Sequence, residues 1–242
     1  MTDPANPAAA SGDGRAGHGL TGLADTGAFL SRLVRLDPAA VVRLRSAGSG
    51  RTELWSRLPW SVLVQRTVDG AGPGDATVSA AALLAEVTAV RSALPPRQDG
   101  AWRWPLPAGA PRVVETVAVD DVRRVAAAAA GTLRTAAVHG VGGRAVGQRA
   151  LRDALLDHVA IVVTAEGPPA ERVEVPQRLV QAVIQMGFLG TASAQPLTGS
   201  ASFGVRVRRV GHWVALDAPF GVGWIQRVNA LTFVSMMNHT KV

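Results

Sequence analysis

The sequence predicts an α+β fold: an antiparallel sheet built from two similar β-hairpin units, with helices packed on one face. Two observations carry this. Residues 205–227, VRVRRVGHWVALDAPFGVGWIQR, read as two or three short strands, and residues 42–66 repeat their chemistry in the same order. Around them lie segments whose apolar residues recur at helical spacing. In the earlier unit the order is Val42-Arg43-Leu44-Arg45, Leu54-Trp55, Pro59-Trp60, Val62 and Gln65-Arg66. In the later one it is Val205-Arg206-Val207-Arg208, His212-Trp213, Pro219-Phe220, Val222 and Gln226-Arg227. Strand alternation puts Val42, Leu44, Val205 and Val207 on the apolar side and Arg43, Arg45, Arg206 and Arg208 on the other. Residues 47–50 and Val210-Gly211 have hairpin-turn chemistry. Pro59 and Pro219 suit strand starts or edges, because proline has no N–H to give a ladder.

Taken in order, residues 1–24 are Ala-, Gly- and Pro-rich with little to bury, and are expected to be disordered, His18 included. A single α+β domain is expected over 25–238, with a loop or linker inside it at 95–112. Thr26 is the expected cap of a helix that buries Phe29, Leu30, Leu33 and Val34, and Asp37-Pro38 ends it. After the first strand unit and the loop at 69–74, Ser79 reads as an N-cap with Val78 and Leu83 as a hydrophobic staple. That helix is expected to run to about Leu94, where Pro95-Pro96 stops it. Residues 95–112 hold five prolines and the pair Trp102 and Trp104, which is either a partner platform or a strand tucked against the core.

Val113 to Val119 reads as a strand, and Asp120 caps an alanine-rich helix to about Thr135. The run His139-Gly-Val-Gly-Gly-Arg144 precedes a helix at 145–157, so the Gly140–Gly143 loop is either an anion site or a plain connection. It matches neither the dinucleotide nor the P-loop pattern. His158 to Val163 is expected to be a buried strand, followed by Val173-Glu174-Val175. Pro176 opens the clearest helix, with Leu179, Val180, Val183 and Ile184 on one face, Gly187 as its C-cap and Phe188 placed to touch Val183. Val228 to Asn238 is expected to close the chain as a short helix or strand.

Composition limits the chemistry. The 242 residues include no cysteine, hence no disulfide, thiolate or cysteine-based zinc site, and no tyrosine. The five histidines show no metal-ligand spacing, no serine sits in a G-x-S-x-G context, and the acidic residues suit caps and solvated faces. No catalytic, metal or cofactor site is therefore expected, and the protein is read as no enzyme. No apolar run reaches the roughly 18 residues of a membrane span, and the start lacks a secretory pattern. A cytoplasmic location without membrane contact is expected. The net charge of +7 comes almost wholly from arginine, since Lys241 is the only lysine. It points to an acidic protein surface or nucleic acid as partner. The candidate partner-binding residues are Arg43, Arg45, Arg206, Arg208, Trp102 and Trp104, with Arg66, Arg209 and Arg227 as further members of one arginine field.

Four stretches resemble a protein family confined to actinobacteria: residues 29–45 (FLSRLVRLDPAAVVRLR), 59–67 (PWSVLVQRT), 182–190 (AVIQMGFLG) and 218–227 (APFGVGWIQR). The resemblance spans most of the chain after the tail; a looser likeness, to ParJ, a regulator of ParA polymerisation, rests on no residue-by-residue match. It implies a partner-binding, regulatory role.

Overall fold

Period-two alternation and hairpin chemistry decide the architecture. A computed structural model describes residues 17–139, 148–164, 172–190 and 204–227. The expected tail up to residue 16, the Gly140–Gly143 loop and the closing segment 228–238 lie outside them. Contacts divide the chain into two compact units, residues 1–104 and 105–242, and the boundary falls inside the expected 95–112 loop.

The first unit opens with helix α1 (Leu23–Leu36), then the strands β1 (Val41–Gly48), β2 (Arg51–Arg57), β3 (Leu63–Asp69) and β4 (Ala76–Ser79), and helix α2 (Ala80–Thr88). Its sheet is antiparallel in the order β4-β1-β2-β3. Val42 pairs with Val78, and Leu44 with both Leu54 and Ala76, and all of them are fully buried. Each large aliphatic side chain removed from water contributes about 2 kcal/mol. Phe29, Leu30 and Leu33 of α1 and Leu83 of α2 complete this core, and the two helices pack on each other.

Three expectations in this unit need correction. Thr26 is not the cap: α1 begins three residues earlier behind Gly22, which supplies no side-chain bond, and Thr26 is buried inside the helix. Pro59 lies in the β2–β3 turn and not at a strand start, with Ser61 held at φ 68° just after it. The chain is also fixed well before residue 25. Gly17 bridges to Ala93, and His18 is buried, with its Nε2 on the Arg91 carbonyl at 2.8 Å and its Nδ1 accepting from the Leu20 N–H at 3.1 Å. The composition of the tail hides this, because a few hydrogen bonds and one buried leucine, Leu20, are enough to seat it.

Ser79 caps α2 as expected, its Oγ accepting from the Ala82 N–H. The helix stops at Thr88, however, and not near Leu94. Val90 turns left-handed at φ 53°, with Val90 N–H on the Val87 carbonyl and Arg91 N–H on the Glu86 carbonyl. This is a Schellman cap built on a valine.

The second unit contains β5 (Arg112–Ala118), α3 (Val119–His139), α4 (Gln148–Asp157), β6 (Val159–Thr164), β7 (Arg172–Pro176), α5 (Gln177–Gln185), β8 (Gly204–Val210), β9 (Trp213–Ala218) and β10 (Gly221–Gln226). Its antiparallel sheet has the order β10-β9-β8-β5, and β6 pairs with β7 separately. The apolar face carries Val205, Val207, Val214 and Leu216, all fully buried. Helix α5 presses so closely on it that a Cβ on Gly223 would stand 2.9 Å from Leu179 Cδ1. Its own end is a Schellman cap with glycine in the left-handed place: Gly187 at φ 66°, and the Phe188 N–H on the Val183 carbonyl.

The strand expected to be buried, β6, is not. Only Val163 is buried, while Val159 and Val162 are exposed; β6 has a single strand partner, β7, whose Val173 and Val175 are the fully buried valines of the pair. Pro219, like Pro59, sits in a turn. In each unit a helix leads into a three-stranded meander, α1-β1-β2-β3 and α5-β8-β9-β10. The tryptophans of the two echoes are not equivalent: Trp55 is mid-strand opposite Arg43, whereas Trp213 begins β9 opposite Val210.

Candidate interaction surface

Strand alternation leaves Arg43 and Arg45 on the side of β1 away from the core, as expected. Cross-strand pairing sets Arg43 against Trp55 and Thr77, and Arg45 against Glu53. The loop before β4 brings Asp75 to Arg43, and both guanidinium hydrogen bonds, from Nε and Nη2, are 2.7 Å long. The hydrogen bond from Arg43 holds the Asp75 carboxyl below the usual carboxylate range, with the charges of Arg43, Arg45 and Arg97 acting in the same direction. Asp99 is likewise lowered, first by the Thr77 backbone N–H at 2.7 Å and then by Arg97.

The tryptophan pair lies on this same side. Trp102 and Trp104 meet edge to face with ring centroids 5.4 Å apart, and the Trp102 Nε1–H donates to the Trp104 carbonyl at 2.7 Å. The Arg43 guanidinium carbon is 5.7 Å from the Trp102 ring centre, and that of Arg57 is 5.1 Å from Trp104, both within cation–π range. The result is a continuous row, Arg57–Trp104–Trp102–Arg43, in which both indoles stay half-buried. The pair is thus tucked against the sheet and still partly open to solvent. Among the described residues neither Arg45 nor Arg57 has a carboxylate within ion-pair distance.

In the second unit Arg206 and Arg208 share the non-core face of β8 and converge on one acid. Arg206 Nη2 lies 2.8 Å and Arg208 Nη1 2.9 Å from Asp217 Oδ2. Asp217 is buried in an otherwise apolar strand, and an open cleft of about 910 Å³ lies beside it. On the same face, Arg208 pairs in register with Ala215 and Ala215 with Trp224. Arg208 Nε and Trp224 Nε1 are both buried without an acceptor among the described residues.

The four expected arginines therefore form two pairs, one in each unit. Arg66 is no member of such a field. It points to the core side of β3, where its guanidinium meets Asp25 of α1 at 2.6 Å. Arg57, Asp75 and Asp217 were missed. Asp217 had a legible signal, an acid in the apolar strand WVALDA. Asp75 had none, since it meets Arg43 across 32 positions of sequence. No group of three metal-ligating side chains occurs among the described residues, and no helix there is long and apolar enough to cross a membrane.

The chain belongs to the family described as a domain of unknown function, DUF8185, whose model matches residues 106–230. A second domain of unknown function, DUF8010, matches residues 20–104, so the two matches meet where the contacts divide the chain. No curated protein matches it in sequence. Among solved structures it is similar to the Helicobacter pylori β clamp bound to a DNA ligase peptide. There the identity is 10% and the TM-score 0.51, over 87% of this chain and 65% of that one. The same clamp in complex with carprofen gives 9% and 0.50, over 84% and 62%. The chain spans less than two thirds of those clamp chains, and at such identity the likeness is one of fold.

Proposed function

We propose that this DUF8185 protein is a non-enzymatic scaffold for protein–protein contacts in the cytoplasm, and that the non-core face of its first unit is one contact surface. The row Arg57–Trp104–Trp102–Arg43, with Arg45 beside it, carries this reading. Tryptophan and arginine are the residue types that dominate binding energy at protein interfaces. Here they are pre-set, because each guanidinium is stacked on an indole and Arg43 is also fixed by Asp75, so less side-chain freedom is lost on binding. The acids of this face support binding over proton transfer: Asp75 and Asp99 are lowered by arginines and a backbone N–H, which keeps them ionised near neutral pH. A clamp of similar fold is known with a DNA ligase peptide bound, which supports a peptide-carrying role for the fold. The role is of the partner-binding, regulatory kind that the resemblance to ParJ implies.

The test is affinity capture of the cross-linked full chain from its own host, compared with Arg45→Ala and Arg57→Ala. Neither arginine holds a carboxylate; Arg45→Ala should melt like the parent, Arg57→Ala slightly lower for the loss of its Ser61 hydrogen bond and Trp104 stacking, and both should lose the captured partner. Partners retained by both variants would refute this surface. A gel shift across a salt series tests the nucleic-acid alternative, which requires binding that falls steeply with salt.

A further inference from the structure

We propose that the cleft of the second unit, lined by Thr116, Gly204, Arg206, Asp217, Ala218 and Pro219, receives a carboxylate side chain of an extended partner peptide. This rests on the scaffold reading and gives it a second site with a stated chemistry. Asp217 is only 7% exposed and is shared by two guanidiniums through one oxygen. One carboxylate against two arginines leaves a single positive charge uncompensated. A buried charge of this kind is normally matched, and one arginine would have matched Asp217. The second is surplus to holding the sheet.

The surplus charge is presented outward. The Arg206 side chain is 55% exposed although its guanidinium is tethered at 2.8 Å. A planar fork held in this way offers its remaining N–H groups in a fixed direction, the geometry that suits a carboxylate. The rest of the face is also short of acceptors. Arg208 Nε and Trp224 Nε1 are buried donors with no acceptor among the described residues, and they flank Ala215 in one cross-strand row. Folded proteins leave few such groups, and each calls for an explanation. Both are shut off from solvent and neither residue lines the cleft, so it is the one spare positive charge, on the exposed Arg206, that makes this face complementary to a ligand bringing negative charge.

The walls favour peptide over nucleic acid. Ala118, Ala218 and Pro219 are apolar, and the single spare positive charge can meet one carboxylate, whereas the binding of a run of phosphates depends on several neutralising cations. A single carboxylate flanked by apolar side chains fits both features, and the volume of about 910 Å³ lies within the range of ligand pockets.

Fluorescence anisotropy on the full chain tests this with three labelled probes: a short peptide of alternating aspartate and leucine, its asparagine counterpart, and an oligothymidine. The aspartate peptide should bind about tenfold tighter than the asparagine one, as expected for charge-assisted hydrogen bonds. Arg206→Gln should remove that preference and Arg206→Lys should restore part of it. Equal binding of the two peptides, indifference to Arg206→Gln, or preference for the oligonucleotide would overturn the proposal. If the peptide fails while the full chain still captures an Arg45-dependent partner, the cleft assignment falls and the scaffold reading stands. If no partner is captured, the scaffold reading falls.

Discussion

Gly70→Ala should unseat the segment that precedes α1. Gly70 follows β3 at φ +114°, donates to the Gly50 carbonyl at 2.9 Å, and accepts from the Thr52 hydroxyl at 2.7 Å. A Cβ there would stand 2.4 Å from the Gly19 carbonyl oxygen, 2.5 Å from Leu20 Cα and 2.6 Å from Thr21 N. All three are backbone atoms, so no side chain can swing aside. The backbone strain costs about 1–3 kcal/mol and the overpacking about as much again, so the substitution should cost about 4 kcal/mol. Gly50→Ala supplies the control: its φ is +70°, but a Cβ would meet nothing within 4 Å, which leaves only the left-handed cost of about 1 kcal/mol. Hydrogen exchange on the full chain is the assay. In Gly70→Ala the amides of Thr21 and Gly22, which donate to the Asp69 carbonyl, should lose protection along with the Leu20 amide held by His18. In Gly50→Ala they should keep it. Equal destabilisation by the two substitutions, or intact protection in Gly70→Ala, would refute the steric argument.

Val90→Gly should stabilise the first unit by about 1 kcal/mol, because a β-branched residue 76% exposed at φ 53° gives up strain and little packing; a lower melting temperature would contradict this. Asp75 and Asp99 are lowered in the folded state, so their contribution is present above the unfolded carboxylate value, about 3.9, and is lost as pH falls through the lower folded values. Urea midpoints of the parent and Asp75→Asn should differ at neutral pH and draw together only as pH falls from about 4 through the lower folded value of Asp75. Since Arg43 and Asp75 are 27% and 54% exposed, the difference should stay below about 1 kcal/mol.

The parts that were legible in the sequence are those set by local periodicity. Alternation placed Val42 and Leu44 inward and Arg43 and Arg45 outward, and helical spacing with Pro176 and Gly187 delimited α5 closely. What escaped was set by contacts distant in sequence or by a cap lacking its usual residue. Four residues are too few for a period to show, so β4 goes unmarked between the 69–74 loop and the Ser79 cap. The end of α2 was misplaced because its left-handed residue is Val90, whereas the same cap on α5 has Gly187. At the candidate sites the arginines were visible and their partners were not. Asp75 reaches Arg43 only once β4 pairs with β1, and the tryptophan pair acquires its cations only after the chain returns over the sheet.

A comparison within the chain bears on why these arginines are placed as they are. Each unit begins its meander with an arginine–apolar–arginine strand, and each anchors a guanidinium to an acid, yet the acids are not equivalent. Asp75 comes from a loop and is largely exposed, whereas Asp217 comes from the neighbouring strand and is buried. An exposed pair such as Arg43–Asp75 contributes little to stability. A buried carboxylate such as Asp217 needs one cation and has two. Stability alone thus accounts for neither arrangement. What both achieve is a guanidinium held in a fixed direction on the side of the strand away from the core, the geometry on which the proposed partner binding rests.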